Sequence, residues 1–184
     1  ILRDGLRRMV ENQEDVYFYL TLMNENYAQP GLKDGDEEGI LRGMYKFKSV
    51  EGEHRVQLMG SGTILREVIA AQDLLAKDWG IGSDVWSVTS FTELRREGLD
   101  CERYALLNPT AKDIPVPYVT QQLLQTEGPI VASTDYIKTF ADQIRAFVPE
   151  DRTYRVLGTD GYGRSDFRSK LRSHFEVDRH FVVL

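Results

Sequence analysis

Two glycine-bearing turns, one run of hydroxyl and carboxylate side chains, three histidines and a single cysteine hold the chemistry open to this sequence. The first turn is Gly60-Ser61-Gly62-Thr63, set between an apolar stretch and a helically periodic one. Backbone N–H groups at such a point can cradle a phosphate. A dinucleotide fingerprint would need a third glycine where Leu65 stands, and a P-loop would need a lysine that is missing. The turn therefore reads as a tight strand-to-helix connection, with Ser61 or Thr63 capping the helix. In the second turn, "GTDGYGRSDF", Gly158, Gly161 and Gly163 permit positive φ, and Ser165 or Asp166 can cap a helix opening at Phe167. Arg164 lies between Asp160 and Asp166 and can pair with either. A metal-diphosphate motif would read Gly-Asp-Gly with an asparagine well downstream. Here the order is Gly-Thr-Asp-Gly, and too little chain follows Asp160 to complete it. Asp160, Arg164, Ser165 and Asp166 thus read as a polar turn aimed at a neighbouring subunit.

Thr89, Ser90, Thr92 and Glu93 fall at the carboxyl end of an apolar run, the edge at which open α/β sheets gather ligands and partners. Ser90 followed by Glu93 also spells a capping box, a use compatible with a contact role. "ASTDY", residues 132–136, ends another run in the same way. His174 and His180 flank Glu176 and Asp178, but a shared metal wants i, i+3 or i+4 spacing on one helix, and the residues between them read as a helix break. No zinc site is expected. No G-x-S-x-G occurs, and Cys101 has no nearby histidine, so it reads as a buried structural thiol.

The elements that must position these residues alternate. Residues 1–12 carry Leu2, Leu6, Met9 and Val10 on one side and Arg3, Arg7, Arg8 and Glu11 on the other, an amphipathic helix. "VYFYLTLM", residues 16–23, is rich in aromatic and apolar residues and reads as a strand. Residues 31–54, with glycines and an acidic cluster, read as a linker with a short helix or strand near "GILRGMYKF". From residue 55 strands are expected at 55–60, 83–90, 129–134 and 153–159, with helices at 63–79, 91–107, 118–125, 135–148 and 166–175. Apolar strands alternating with helices imply an open, mostly parallel sheet with helices on both faces, the α/β class.

Composition narrows the partners. Hydrophobic residues make up 41% and charged ones 28%, ordinary for a globular chain of 184 residues. The 29 acidic residues exceed the 23 basic ones for a net charge of −6, which argues against nucleic-acid binding. No apolar run reaches the roughly 18 residues that cross a bilayer, so no membrane span is expected. One cysteine excludes a disulfide framework and suits a reducing, cytoplasmic setting. The chain opens inside a helical pattern and closes on the apolar "HFVVL" after Asp178. Both ends read as cut, so a fragment is expected.

"VYFYLTLMNENYAQP", "VQLMGSGTILREVIAAQDLL", "GSDVWSVTSFTEL", "VASTDYIKTFADQIRAFVP" and "YRVLGTDGYGRSDFRSKLRSHFEVD" together resemble the C-terminal region of homodimeric bacterial pyruvate dehydrogenases, the thiamine-diphosphate-dependent decarboxylating components. The resemblance implies a transketolase C-terminal-domain-like fold. It makes residues 1–30 the end of a middle, pyrimidine-binding domain, 31–54 a linker, and 55–184 a C-terminal α/β domain incomplete at its end. It also implies thiamine diphosphate and magnesium in the intact enzyme, a homodimer, and a dihydrolipoyl acetyltransferase partner. The family's catalytic and metal-binding residues lie upstream, so no catalytic, cofactor or metal residue is carried over and the fragment alone is expected to be inactive. Thr89, Ser90, Thr92, Glu93, Asp160, Arg164, Ser165 and Asp166 become candidates for a dimer interface or active-site entrance. The alternative is a free-standing α/β interaction or anion-binding module.

Overall fold

The computed structural model describes residues 1–184. Five strands form one sheet in the order β1-β3-β2-β4-β5, made of β1 Met44–Val50, β2 Arg55–Ser61, β3 Gly82–Val88, β4 Ile130–Ser133 and β5 Tyr154–Leu157. β2 to β5 are parallel, and β1 pairs antiparallel with β3 at one edge. The period-2 alternation of a strand sends Leu58 and Val85 into one core and Met59 and Trp86 into another, so the central strands are apolar on both faces. Helices cover both. α3 (Leu65–Leu74) and α8 (Arg179–Val183) pack on the Leu58 side. α4 (Phe91–Leu107), α5 (Tyr118–Leu124) and α6 (Lys138–Asp142) pack on the Met59 side. Trp86 Nε1 donates to Gln57 Oε1 at 2.8 Å, and Gln57 Nε2 donates to the Glu127 carbonyl at 3.1 Å, so this buried polar pair is satisfied.

The chain crosses from β2 to β3 through α3, then returns over β2 to reach β4 through α4 and α5. At that reversal the connections leave the sheet in opposite directions, which opens a crevice at the carboxyl ends of β2 and β4. Close approach around it depends on glycine. A Cβ on Gly60 would meet the Leu65 Cα at 2.8 Å, and one on Gly128 (φ +83°) would collide with the Arg55 carbonyl.

The sequence-based boundaries hold for most elements, including the helix expected over 1–12, which is α1 (Leu2–Leu6) continued by a π-helical turn at Arg7–Glu11, and four readings are corrected. Residues 16–23 form no strand: the segment has no ladder partner, and Tyr17, Tyr19 and Leu22 face solvent. A strand needs another strand to take its backbone groups. Residues 31–54 hold the element expected near "GILRGMYKF", as α2 (Asp36–Arg42) and β1, but they are not a linker, because β1 is part of the sheet. The helix expected over 135–148 shrinks to α6 and a 3-10 turn at Arg145–Phe147. Tyr136 accepts from Thr159 N and Lys138 N donates to Asp160 Oδ1, which holds the preceding backbone extended against the loop after β5. Lastly, the helices after both glycine turns lack the expected caps. Ser61 Oγ donates to Thr134 Oγ1, the side chain of Asp166 accepts only from Phe167 N, and α7 (Arg168–His174) starts after Phe167 with no side-chain cap. The break between the histidines is real: Glu176 takes φ +58° and Asp178 caps α8 through His180 N and Phe181 N.

Candidate functional site

The crevice continues into a cavity of about 310 Å³ at the carboxyl ends of β2, β4 and β5. Its walls come from the turn after β2 (Thr63, Ile64), the turn after β4 (Asp135), the glycine loop after β5 (Thr159, Arg164) and α7 (Arg168, Leu171, Arg172). Arg168 and Arg172, four residues apart in α7, present their guanidinium groups on one side of that helix, and Arg164 reaches the same cavity from the preceding loop.

A carboxylate already occupies the edge of this cluster. Glu25, in the irregular segment 16–33, accepts from Thr63 Oγ1 (3.1 Å), Arg66 Nη1 (2.8 Å) and Arg172 Nη2 (3.0 Å), with Arg168 Nε at 3.8 Å. Arg168 Nη2 donates to Asn24 Oδ1 at 2.7 Å, and Arg66 lies over the Tyr27 ring. Burial alone would raise the Glu25 carboxyl; the Thr63 and Arg172 hydrogen bonds outweigh it and hold it below the ordinary carboxylate range. Behind it Glu67, 5% exposed, accepts from Arg172 Nη1 (3.2 Å) and from Arg179 N (3.2 Å), Nε (2.9 Å) and Nη2 (3.3 Å). Burial opposes ionisation here as well, and the Arg179 contacts win, so this carboxyl is also held low. Asp135 differs. Burial pushes its carboxyl up, and its own backbone N–H and the Arg172 charge offset that only in part.

The candidate residues named from sequence share one sheet edge but form two places. Thr89, Ser90, Thr92 and Glu93 follow β3, whereas Asp160, Arg164, Ser165 and Asp166 follow β5. Two strands intervene, a separation of about 14 Å at the sheet. Ser90 caps α4 by accepting from Glu93 N at 3.0 Å, which forms half of the expected box, since Glu93 turns instead to Arg96. Thr89 Oγ1 donates to the Ile40 carbonyl at 2.8 Å and fastens the loop to α2. Asp160 serves Lys138, so the expected pairing of Arg164 with Asp160 or Asp166 does not occur, and Arg164 has no side-chain partner. Arg164 is the one member of the set that lines the cavity. Cys101 is buried, and burial raises its thiol, as suits a structural role. Arg164 and the turn holding Asp135 were visible in the sequence; Arg168, Arg172 and Glu25 were not singled out, and the partners of Glu25 are between 38 and 147 residues away.

Comparison with known proteins identifies the family of the fold. Residues 43–178 match the family model described as the transketolase-like TK C-terminal domain, and residues 1–30 match the pyruvate dehydrogenase E1 component middle domain. The pyruvate dehydrogenase E1 component of Cupriavidus necator is 59% identical over 187 aligned positions covering 100% of this chain and 21% of the relative. That of Escherichia coli K12 is 57% identical, covering 100% and 20%. The chain thus spans about a fifth of the length of these relatives. Among solved structures, a transketolase mutant from Pichia stipitis aligns with TM-score 0.53 at 17% identity over 84% of this chain and 19% of that one. The Campylobacter jejuni transketolase aligns with TM-score 0.50 at 17% identity over 85% and 19%.

Proposed function

The chain belongs to the transketolase-like C-terminal domain family, and from that premise we propose that it is the C-terminal part of a pyruvate dehydrogenase decarboxylating component. Residues 1–30 are then the end of the middle domain, and the remainder through residue 184 is most of the C-terminal one. The observation that carries the reading is identity of 57–59% maintained along the whole chain, through both the middle-domain piece and the α/β domain. In the intact, cytoplasmic homodimer the reaction is oxidative decarboxylation of pyruvate with acetylation of the lipoyl group of the acetyltransferase component.

The residues of this chain do not fit thiamine diphosphate and magnesium by themselves. Asp160, the carboxylate of the Gly-Thr-Asp-Gly turn, is committed to Lys138, and no three histidine, cysteine or carboxylate side chains converge as a metal cage would need. The cofactor, which supplies the electron sink for such chemistry, belongs to the upstream part of the enzyme, and the fragment alone is inactive. This chain's share is structural. Its sheet edge carries Thr89–Glu93 and Asp160–Asp166 toward the partner subunit or the active-site entrance, and Glu25 ties the middle-domain piece to the C-terminal domain.

A chimera tests this reading. Replacing the matching fifth of the Escherichia coli E1 component with these 184 residues should leave a protein that supports pyruvate-dependent lipoyl acetylation. The isolated chain should bind no thiamine diphosphate in calorimetry. A chimera that folds but does no such chemistry, or cofactor capture by the isolated chain, overturns the assignment in favour of a free-standing interaction or anion-binding module.

A further inference from the structure

No hydrogen bond or ion pair joins segment 16–33 directly to α8, yet a row of four alternating charges runs from one to the other. Glu25, in the segment, accepts from Arg172 Nη2 at 3.0 Å. Arg172, in α7, turns its other terminal nitrogen, Nη1, to Glu67 Oε1 at 3.2 Å. That same oxygen accepts from Arg179 Nη2 at 3.3 Å. Arg179 opens α8 and adds Nε and its backbone N–H to Glu67 Oε2 at 2.9 and 3.2 Å. Each inner member is therefore shared: Arg172 by two carboxylates, Glu67 by two guanidinium groups. Their side chains are only 14% and 7% exposed, so water and salt screen the middle of the row little.

We propose that this row is a conformational relay, in which docking of segment 16–33 tightens α8 against α3 and release of the segment loosens it. The sign follows from the sharing. While Glu25 holds one side of the Arg172 fork, Arg172 draws less on Glu67, and Glu67 Oε1 stays available to Arg179. When Glu25 leaves, Arg172 closes on Glu67 and competes with Arg179 for the shared oxygen. α8 is an element that such competition can move: it has five residues, and it is held to α3 by the Arg179 contacts and the apolar packing of Val182 and Val183. A guanidinium suits the joint because its planar fork addresses two carboxylates at once, whereas an ammonium is a point charge. Coupling of this kind is reciprocal, so loosening α8 also loosens the segment. The segment leads out of the residues that match the middle-domain model, 1–30, so the relay carries the seating of that part to a helix of the α/β domain.

Native-state hydrogen exchange on the 184-residue chain, read residue by residue, tests the relay. Glu25→Gln should speed exchange of the Val182 and Leu184 amides, which bond to the Asp178 and His180 carbonyls, by about fivefold. That is the low end for coupled sites, because Arg179 is partly open to water. The amides of Leu94 and Cys101 in α4, on the other face of the sheet, should keep the parent's rates, which separates local loosening from general loss of stability. Arg179→Ala, at the far end of the row, should speed proteolysis within residues 16–33 by a similar factor. Arg172→Lys keeps the charge but loses the fork. In that background Glu25→Gln should leave Val182 and Leu184 unaffected, whereas plain shielding of α8 by the segment would persist. The proposal is overturned if Glu25→Gln leaves exchange in α8 unchanged or slows it, if Arg179→Ala leaves the segment as protected as in the parent, or if the effect of Glu25→Gln survives Arg172→Lys.

Discussion

Removing the Glu67 carboxylate probes the network most directly. It accepts four hydrogen bonds from two arginines while only 5% exposed, and it joins α3 to α7 and α8. Breaking a buried ion pair on one side costs about 3–5 kcal/mol when the remaining charge is stranded. Here stranding is incomplete. Arg172 keeps Glu25, and Arg179, whose side chain is 45% exposed, can turn to water. The expected loss is therefore about 3 kcal/mol for Glu67→Ala and about 2 kcal/mol for Glu67→Gln, which preserves volume and some hydrogen bonding. For a chain of this size about 3 kcal/mol lowers the melting temperature by roughly 6–12 °C. Urea unfolding followed by circular dichroism reads the value. Arg96→Ala is the control: its pairs with Glu93 and Asp100 are solvent-exposed and should be worth no more than about 0.5 kcal/mol. The effect also depends on pH. The folded Glu67 carboxyl is held below its ordinary range, so its contribution is fully present above the unfolded carboxylate value and is lost as pH falls through the folded one. Parent and Glu67→Gln should accordingly draw together in stability as pH falls below the ordinary glutamate value of about 4.3 and toward the lower folded one. If both Glu67 variants unfold within about 0.5 kcal/mol of the parent at pH 7, desolvation cancels the ion pairs and the reasoning fails.

Asp135→Asn should stabilise the chain at pH 7 and make no difference at pH 3. Burial raises the folded carboxyl, so ionisation costs stability as pH rises through that value; thermal melts at the two pH values check it. Gly128→Ala should cost about 3 kcal/mol or more in the same urea assay, because the residue combines positive φ with a Cβ that collides with the Arg55 carbonyl. Glu25→Gln should speed limited proteolysis within residues 16–33 several-fold, and raising salt should do the same to the parent; equal cleavage rates would show that this segment is held by other contacts. The isolated chain should self-associate in light scattering as concentration rises, since Leu2, Leu6, Val10, Tyr17, Tyr19 and Leu22 are exposed together along its first residues. A monodisperse monomer at high concentration would contradict this.

Much of the fold was legible in local pattern. Period-2 and helical periodicities are written into neighbouring residues, so β2, β3, α3 and α4 were readable from Arg55 to Leu107, and the strand–helix alternation implied a parallel sheet. Gly-Ser-Gly-Thr was readable as a turn, and Ser90 with Glu93 as a cap, because both act within three or four residues. The errors arose where distant backbone decides. β1 is a strand because β3 offers it a ladder, and 16–23 is not one because nothing does. α6 is short because the loop after β5 takes the groups at Tyr136 and Lys138.

The candidate site divides along the same line. Sequence alone determined the glycine turns, Arg164 among them, and the sheet edge to which they lead, since turn chemistry and strand–helix alternation are written into neighbouring residues. Tertiary structure alone decided that Glu25 and Glu67 are met by Arg66, Arg168, Arg172 and Arg179, while Arg164 is left without a side-chain partner. Electrostatic balance depends on distance in space, and the residues that set it here lie as far as 147 positions apart in the chain.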